Sequence, residues 1–173
     1  YPDETQRHAM AEHFVAIALN VCRRYGIAHA SSPAMEGVAG WLPPGKAPFT
    51  FGQILRAVPL GRLFRFGQQG ARRLQPYGDF VDRKHRELAP FPHWYLQILG
   101  VAPEHQGKGI SSRLIRPMLE RIDREGLPCF VETNVDKNVH IYERSGFKLV
   151  SEDRVPGTEL TSYAMLREPS SLS

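Results

Sequence analysis

Between residues 94 and 134 the chain runs through an apolar stretch, a glycine-rich turn, an amphipathic stretch and a second apolar run. That order fits a strand–helix–strand unit, and the rest of the chain has to be built around it. Trp94 to Val101 reads as a strand, Gly107 to Glu125 as a helix and Cys129 to Asn134 as the returning strand. Helical spacing puts Ile110, Leu114, Ile115, Met118, Leu119 and Ile122 on one face, with Arg113, Arg116, Glu120, Arg121 and Arg124 largely outside it. One face must therefore pack on a sheet. Pro117 inside this helix removes a hydrogen bond to the carbonyl of Arg113, which predicts a bend at that turn. Gly126 and Pro128 supply the stop.

The remaining elements follow from the same rules. Apolar residues Met10, Phe14, Ile17, Ala18 and Val21 recur at helical spacing over Thr5 to Tyr25, and Gly26 ends that helix. Ile27–Ala30 and Met35–Leu42 read as a hairpin stopped by Pro43-Pro44. Residues 43–90, broken by glycines at 52, 61, 67, 70 and 78, read as a helical insertion over the sheet on the acceptor side. Lys137–Ser145 fits a short helix, and Phe147–Glu152 and Leu160–Leu166 fit closing strands. The whole of 1–173 reads as one domain.

Composition narrows the class. With 42% hydrophobic and 23% charged residues, and no apolar stretch near the ~20 residues that span a bilayer, the chain reads as an ordinary globular domain rather than a membrane protein. The two cysteines, Cys22 and Cys129, fall in a helix and a strand, which suits buried reduced thiols and a cytoplasmic setting. The chain opens on Tyr1 without a signal-sequence pattern, as a fragment would. No histidine pair has metal-ligand spacing, so no metal site is expected. The net charge of +4 includes arginines at 56, 62, 65, 72 and 73, a locally positive region that could attract an anion.

Chemistry begins at the turn Val101-Ala102-Pro103-Glu104-His105-Gln106-Gly107-Lys108-Gly109-Ile110-Ser111. Gly107 and Gly109 let backbone N–H groups converge on an anion at a helix N-terminus, where the dipole adds partial positive charge. A phosphate fits this turn. A P-loop would need Gly at Ala102 and Ser or Thr at Gly109, so that reading fails. A Rossmann fingerprint would need glycines directly after the strand and a third Gly or Ala at position 112, which is Ser112, although Glu132 mimics its ribose-binding acid. A turn that merely connects strand and helix is the plain alternative.

The spacing Gln106-x-x-Gly109-x-Ser111 resembles the pyrophosphate-binding motif Gln/Arg-x-x-Gly-x-Gly/Ala of the GNAT superfamily, with Ser in the last place. The likeness continues through His93-Trp94-Tyr95-Leu96, Leu99-Gly100-Val101, Gly126-x-Pro128, Glu132-Thr133, Asn138 and Tyr142-Glu143-Arg144-x-Gly146-Phe147, and over Lys84 to Val150 it is similar to the puromycin N-acetyltransferase branch. Upstream, Gly37-Val38-Ala39-x-Trp41-Leu42-x-Pro44 echoes the same branch. The resemblance implies an α/β fold, a mixed and largely antiparallel sheet flanked by helices and splayed at the cofactor-binding strands. It also implies that a first strand and helix, placed by the superfamily before Tyr1, are absent or replaced.

Acetyl-coenzyme A is the implied cosubstrate. By resemblance, backbone groups of Leu99, Gly100 and Val101 would pair with the pantetheine arm, and amides of Gln106, Gly107, Lys108, Gly109, Ile110 and Ser111 would hold the pyrophosphate. The Gln106 side chain would help, Lys108 would neutralise a phosphate or simply be solvated, and Asn138 would contact the arm or cap a helix. Transfer to an amine requires a proton donor for the departing thiolate and an acceptor for the amine proton. Tyr142 is the expected acid, since a phenol near pKa ~10 stays protonated at neutral pH; the alternative is a core tyrosine beside Phe147. Glu132 is the first choice of base, with His85 and His93 as further candidates, and a structural ion pair is its plain alternative. Trp41, Trp94 and the phenylalanines at 49, 51, 64, 66 and 80 are candidates for the acceptor pocket or for core packing. The implied function is direct acetyl transfer to a small-molecule amine, with a protein amine as another acceptor. The competing class is a non-catalytic CoA-binding sensor or a nucleic-acid scaffold, against which the arginines count weakly because they come without interleaved stacking aromatics on a recognisable nucleic-acid motif.

Overall fold

The computed structural model describes residues 4–59 and 75–170, with side chains from residue 12 onward. In chain order the elements are α1 (Glu4–Tyr25), β1 (Ile27–Ala30), β2 (Gly37–Leu42), α2 (Phe51–Ala57) and α3, a helix over 75–88. There follow β3 (Trp94–Val101), a 3-10 turn (Pro103–His105), α4 (Ile110–Glu125), β4 (Cys129–Thr133), α5 (Asp136–Glu143), β5 (Lys148–Arg154) and β6 (Thr161–Arg167). The strands form one sheet in the order β1-β2-β3-β4-β6-β5, antiparallel throughout except for the parallel pair β3–β4. The mixed, largely antiparallel sheet flanked by helices is thus as the sequence implied.

Strand alternation divides the core into two layers. Trp94, Leu96, Cys129 and Val131 face one side, where they meet the six apolar residues of α4 together with Tyr142 and Phe147. Full burial of each such α4 side chain contributes about 1.5–3 kcal/mol of transfer free energy, which explains why this helix is kept whole despite Pro117. Tyr95, Phe130 and Ala164 face the other side, against Val21 and Cys22 of α1, with Ile54 of α2 and Leu88 of α3 around them. Within 43–90, α2 and α3 thus lie over this face of the sheet, and residues 60–74 lie outside the described residues. Both cysteines are buried and free.

Several boundaries differ from the sequence reading for local reasons. The second strand starts at Gly37 rather than Met35, because Met35 adopts φ 54° and the Glu36 carboxylate accepts hydrogen bonds from the hydroxyls of Ser31 and Ser32 within the turn. Those donors hold the Glu36 carboxyl down at about 2. Helix α4 starts at Ile110 rather than Gly107, since Gly109 takes a left-handed conformation (φ 71°) as its N-cap. At the far end Arg167 clamps the layers. Its guanidinium donates to both oxygens of Asp123 at 2.6 and 2.8 Å and to the Ser145 carbonyl at 3.0 Å, joining β6, α4 and the end of α5.

Candidate active site

The parallel pairing of β3 with β4 lasts only from Trp94↔Cys129 to Leu96↔Val131. Immediately beyond it the β2–β3 register jumps, with Gly40 opposite Ile98 and Trp41 opposite Leu96, so Gln97 is an extra residue on β3. A bulge bends and twists its strand. Residues 97–101 stay on β2 while β4 continues through Thr133 on β6, and the two central strands part. The sheet is therefore splayed between them, as expected. Leu99, Gly100 and Val101 form one lip, with no strand on the β4 side. No pattern in the residues announced Gln97, because a bulge depends on the register against a neighbouring strand.

At the end of that lip the chain makes the 3-10 turn and enters α4. Gly107 (φ 75°) and Gly109 (φ 71°) are both left-handed, and a Cβ on Gly107 would meet nothing within 4 Å. Conformation rather than crowding calls for glycine here. Among the described residues the backbone N–H groups of 107 to 112 have no backbone acceptor, and they gather at the positive end of α4. A phosphate-sized anion suits these donors. The side chains proposed to assist are otherwise engaged: Gln106 Nε2 donates to Val101 O at 3.1 Å and Lys108 Nζ to Glu104 O at 3.0 Å. Both brace the turn internally, and Gln106 is a strand-to-loop tie rather than a free ligand arm.

On the α4 side of the sheet lies Tyr142, buried on α5 with its ring 5.7 Å from Phe147 in an edge arrangement. Burial, and then proximity to Cys129, push its phenol up to about 12, so it stays protonated. Asn138 does not cap α5. Val135 holds the N-cap position, and the Asn138 amide donates to Thr133 Oγ1 at 3.1 Å, tying the helix to the end of β4.

Glu132 follows Val131, the last residue of β4 paired with β3, and faces the α1–α3 layer, opposite to Tyr142 across the sheet. Its side chain is 5% exposed and accepts a hydrogen bond from Tyr95 Oη at 3.0 Å. Burial raises its carboxyl from 4.5 to about 8, against the pull of the Tyr95 hydrogen bond. His85 Nδ1 of α3 lies 3.8 Å from Glu132 Oε2, within ion-pair distance. Burial, followed by His93 and Arg86, lowers His85 to about 3, so both groups favour their neutral forms and the contact is not a salt bridge. His85 Nε2 meets His93 Nε2 at 2.7 Å. Tyr77 of α3 donates to Asn134 beside the same site.

The aromatic candidates divide clearly. Trp41, Trp94 and Phe80 are core residues, Phe49 is partly buried, Phe51 is exposed, and Phe64 and Phe66 lie outside the described residues. Arg62, Arg65, Arg72, Arg73 and the side chain of Met10 also lie outside them. A cleft of about 420 Å³ lies elsewhere: His29, Ser31, Glu36 and Arg113 line it between the β1–β2 hairpin and α4. It is remote from both Glu132 and Tyr142, and we give it no catalytic role. Among the described residues no cluster of histidine, cysteine and carboxylate side chains could hold a metal ion, and no helix is long and apolar enough to cross a membrane.

Residues 70–147, which hold the splayed strands, the phosphate-ready turn, Glu132 and Tyr142, match the acetyltransferase (GNAT) family. These residues carry a GNAT acetyltransferase domain. The chain is 32% identical over 117 residues to an uncharacterized N-acetyltransferase of Schizosaccharomyces pombe (strain 972), covering 64% of this chain and 47% of that protein. It is 34% identical over 65 residues to a mycothiol acetyltransferase of Propionibacterium freudenreichii subsp. shermanii, covering 36% and 21%. The chain thus spans less than half the length of these relatives. A crystal structure from Corynebacterium glutamicum titled as histone acetyltransferase HPA2 and related acetyltransferase is similar with a TM-score of 0.45 and 20% identity, covering 79% of this chain and 59% of that one.

Proposed function

We propose that residues 1–173 form one acetyltransferase domain that moves an acetyl group from acetyl-CoA directly to a primary amine of a small molecule. The observation that carries this reading is the split between β3 and β4, with unpaired helix N–H groups at its outer end, a protonated phenol on one face of the sheet and a buried carboxyl on the other. The donors of 107 to 112 fit a pyrophosphate, and the open edge of Leu99–Val101 fits an extended amide-bearing arm. Acetyl-CoA supplies the acyl group as a thioester. A backbone N–H near Val101 polarises the carbonyl oxygen, Glu132 takes the amine proton, and Tyr142 holds a proton for the departing sulfur. Because they lie on opposite faces of the sheet, the two groups can serve one reaction only through the split.

A small acceptor is supported by the name of one relative, a mycothiol acetyltransferase. The buried thiols suit a reducing, cytoplasmic setting, with burial raising Cys22 to about 12. The test is thiol release from acetyl-CoA against a panel of primary amines, peptides included. Turnover on small amines is expected, and Tyr142→Phe should lower kcat about 100-fold with KM little changed. Turnover on peptides alone would overturn the acceptor class. Binding to nucleic acid with no thiol release on any amine would favour the non-catalytic reading.

A further inference from the structure

Behind Glu132 runs a buried polar chain to which the acetyl-transfer reading assigns no role. Tyr95 Oη donates to Glu132 Oε2 at 3.0 Å, His85 Nδ1 stands 3.8 Å from that oxygen, His85 Nε2 meets His93 Nε2 at 2.7 Å, and His93 Nδ1 meets Phe91 O at 2.6 Å. A carbonyl oxygen only accepts, so His93 Nδ1 carries its proton. In a neutral ring His93 Nε2 is then a bare acceptor. The 2.7 Å contact therefore requires His85 to donate from Nε2, which leaves His85 Nδ1 as a lone pair turned toward the carboxyl group. The His85 ring is fixed in that attitude, edge-on to Tyr95 at 4.6 Å and tilted on Phe130 at 4.8 Å.

Three buried side-chain polar atoms lack a hydrogen-bond partner among the described residues, Trp41 Nε1, His85 Nδ1 and Glu132 Oε1, and the last two belong to this polar array. Against a carboxylate, both are costly. A bare nitrogen lone pair faces negative charge, and one carboxylate oxygen has no donor. A proton on the carboxyl removes both costs, because rotation of the terminal group, which is only loosely constrained, brings O–H to Nδ1. The other groups acting on Glu132 are Asp82 and Tyr77 of α3 and Tyr95 of β3, while Arg86 acts on His85. None of them offers the carboxyl an acceptor of fixed orientation.

We propose that His85 is a positioning residue for Glu132: held by His93 with Nδ1 bare, it is the hydrogen-bond acceptor that the carboxyl group gains when it captures a proton. The inference rests on Glu132 being the base of the proposed reaction. In the transfer step the nitrogen–acyl bond forms, the acyl–sulfur bond breaks, Glu132 receives the amine proton and Tyr142 gives its proton to sulfur. His85 favours the first of these proton movements without exchanging a proton with the substrate.

The test is NMR on the intact chain. With imidazole nitrogens labelled, His85 is expected as the Nε2–H tautomer, and Nδ1–H would overturn the proposal without any variant. With glutamate side-chain carboxyl carbons labelled, the Glu132 titration midpoint is expected to fall by about one pH unit or more in His85→Asn, whose amide can donate to the carboxylate, and in His93→Phe, which frees His85 to donate from Nδ1. A midpoint that keeps its wild-type value in a folded variant would also overturn it. Kinetics separate the two layers: the pH limb of kcat/KM should follow the shifted midpoint. If Glu132 is not the base, that limb ignores a midpoint that still moves, and the reaction assignment fails while the His85–Glu132 coupling stands.

Discussion

Glu132→Gln is expected to lower kcat/KM for the best amine acceptor by about 1000-fold at pH 8, within the range that positioned general bases contribute. In the wild type, activity should climb with pH through about 8, as the raised carboxyl loses its proton and becomes able to accept one from the amine. The variant should lose that limb, and pH–rate profiles of both proteins check it. Stability supplies an independent reading with the opposite trend. Glu132 goes from 4.5 in an open chain to about 8 in the fold, so between these values the folded chain holds a proton that the unfolded chain releases. Stability contributed by this group is present below about 4.5, declines as pH rises through that window and levels off above 8. His85, lowered from 6.5 to about 3, acts the other way, its contribution being lost as pH falls from 6.5 toward 3. Replacing Glu132 by Gln should therefore flatten the decline in melting temperature between pH 6.5 and 8, where the carboxyl acts without the opposing trend.

Gly109→Trp is expected to weaken acetyl-CoA binding about 100-fold or more, because two or more charge-assisted N–H bonds to a pyrophosphate would be displaced, each contributing about 1.5–3 kcal/mol. The fold should survive. A Cβ at this site meets only Arg113 Nη1, at 4.0 Å, and the left-handed backbone costs about 1–2 kcal/mol. Gly109→Ala carries the same backbone strain without the bulk, and should lose far less affinity. Calorimetric titration of the three proteins, each first checked by its melting transition, separates steric blockage of the turn from a damaged fold. Equal affinity in the Trp variant and the wild type would place the pyrophosphate elsewhere.

The unit from Trp94 to Glu125 was legible because it rests on local rules: a short apolar run of strand length, glycines where φ is positive, and six apolar residues at helical spacing. The same rules placed β4, α5 and the closing strands to within a residue or two. Long-range register was not legible. The bulge at Gln97 that parts the central strands exists only in the pairing of β3 with β2, and the assignment of Glu132 and Tyr142 to opposite layers follows from that pairing. Glu132 could be read as a candidate base, but its environment could not. Tyr95 lies 37 positions away and His85, on α3, 47 positions away, and helix packing alone brings His85 beneath the carboxyl. The same distance in sequence hides the fate of Gln106 and Asn138, whose side chains are taken up by Val101 and Thr133.

The central claim is that acetyl-CoA lies in the split, with its arm along β3 and its pyrophosphate on the first turn of α4. Amide hydrogen exchange of the intact chain, with and without saturating acetyl-CoA, tests this directly. Protection is predicted at Leu99–Val101 and at residues 107 to 112, with little change in β1 or in the cleft near His29. Protection centred on that cleft, or none at 107 to 112 under saturating ligand, would contradict it.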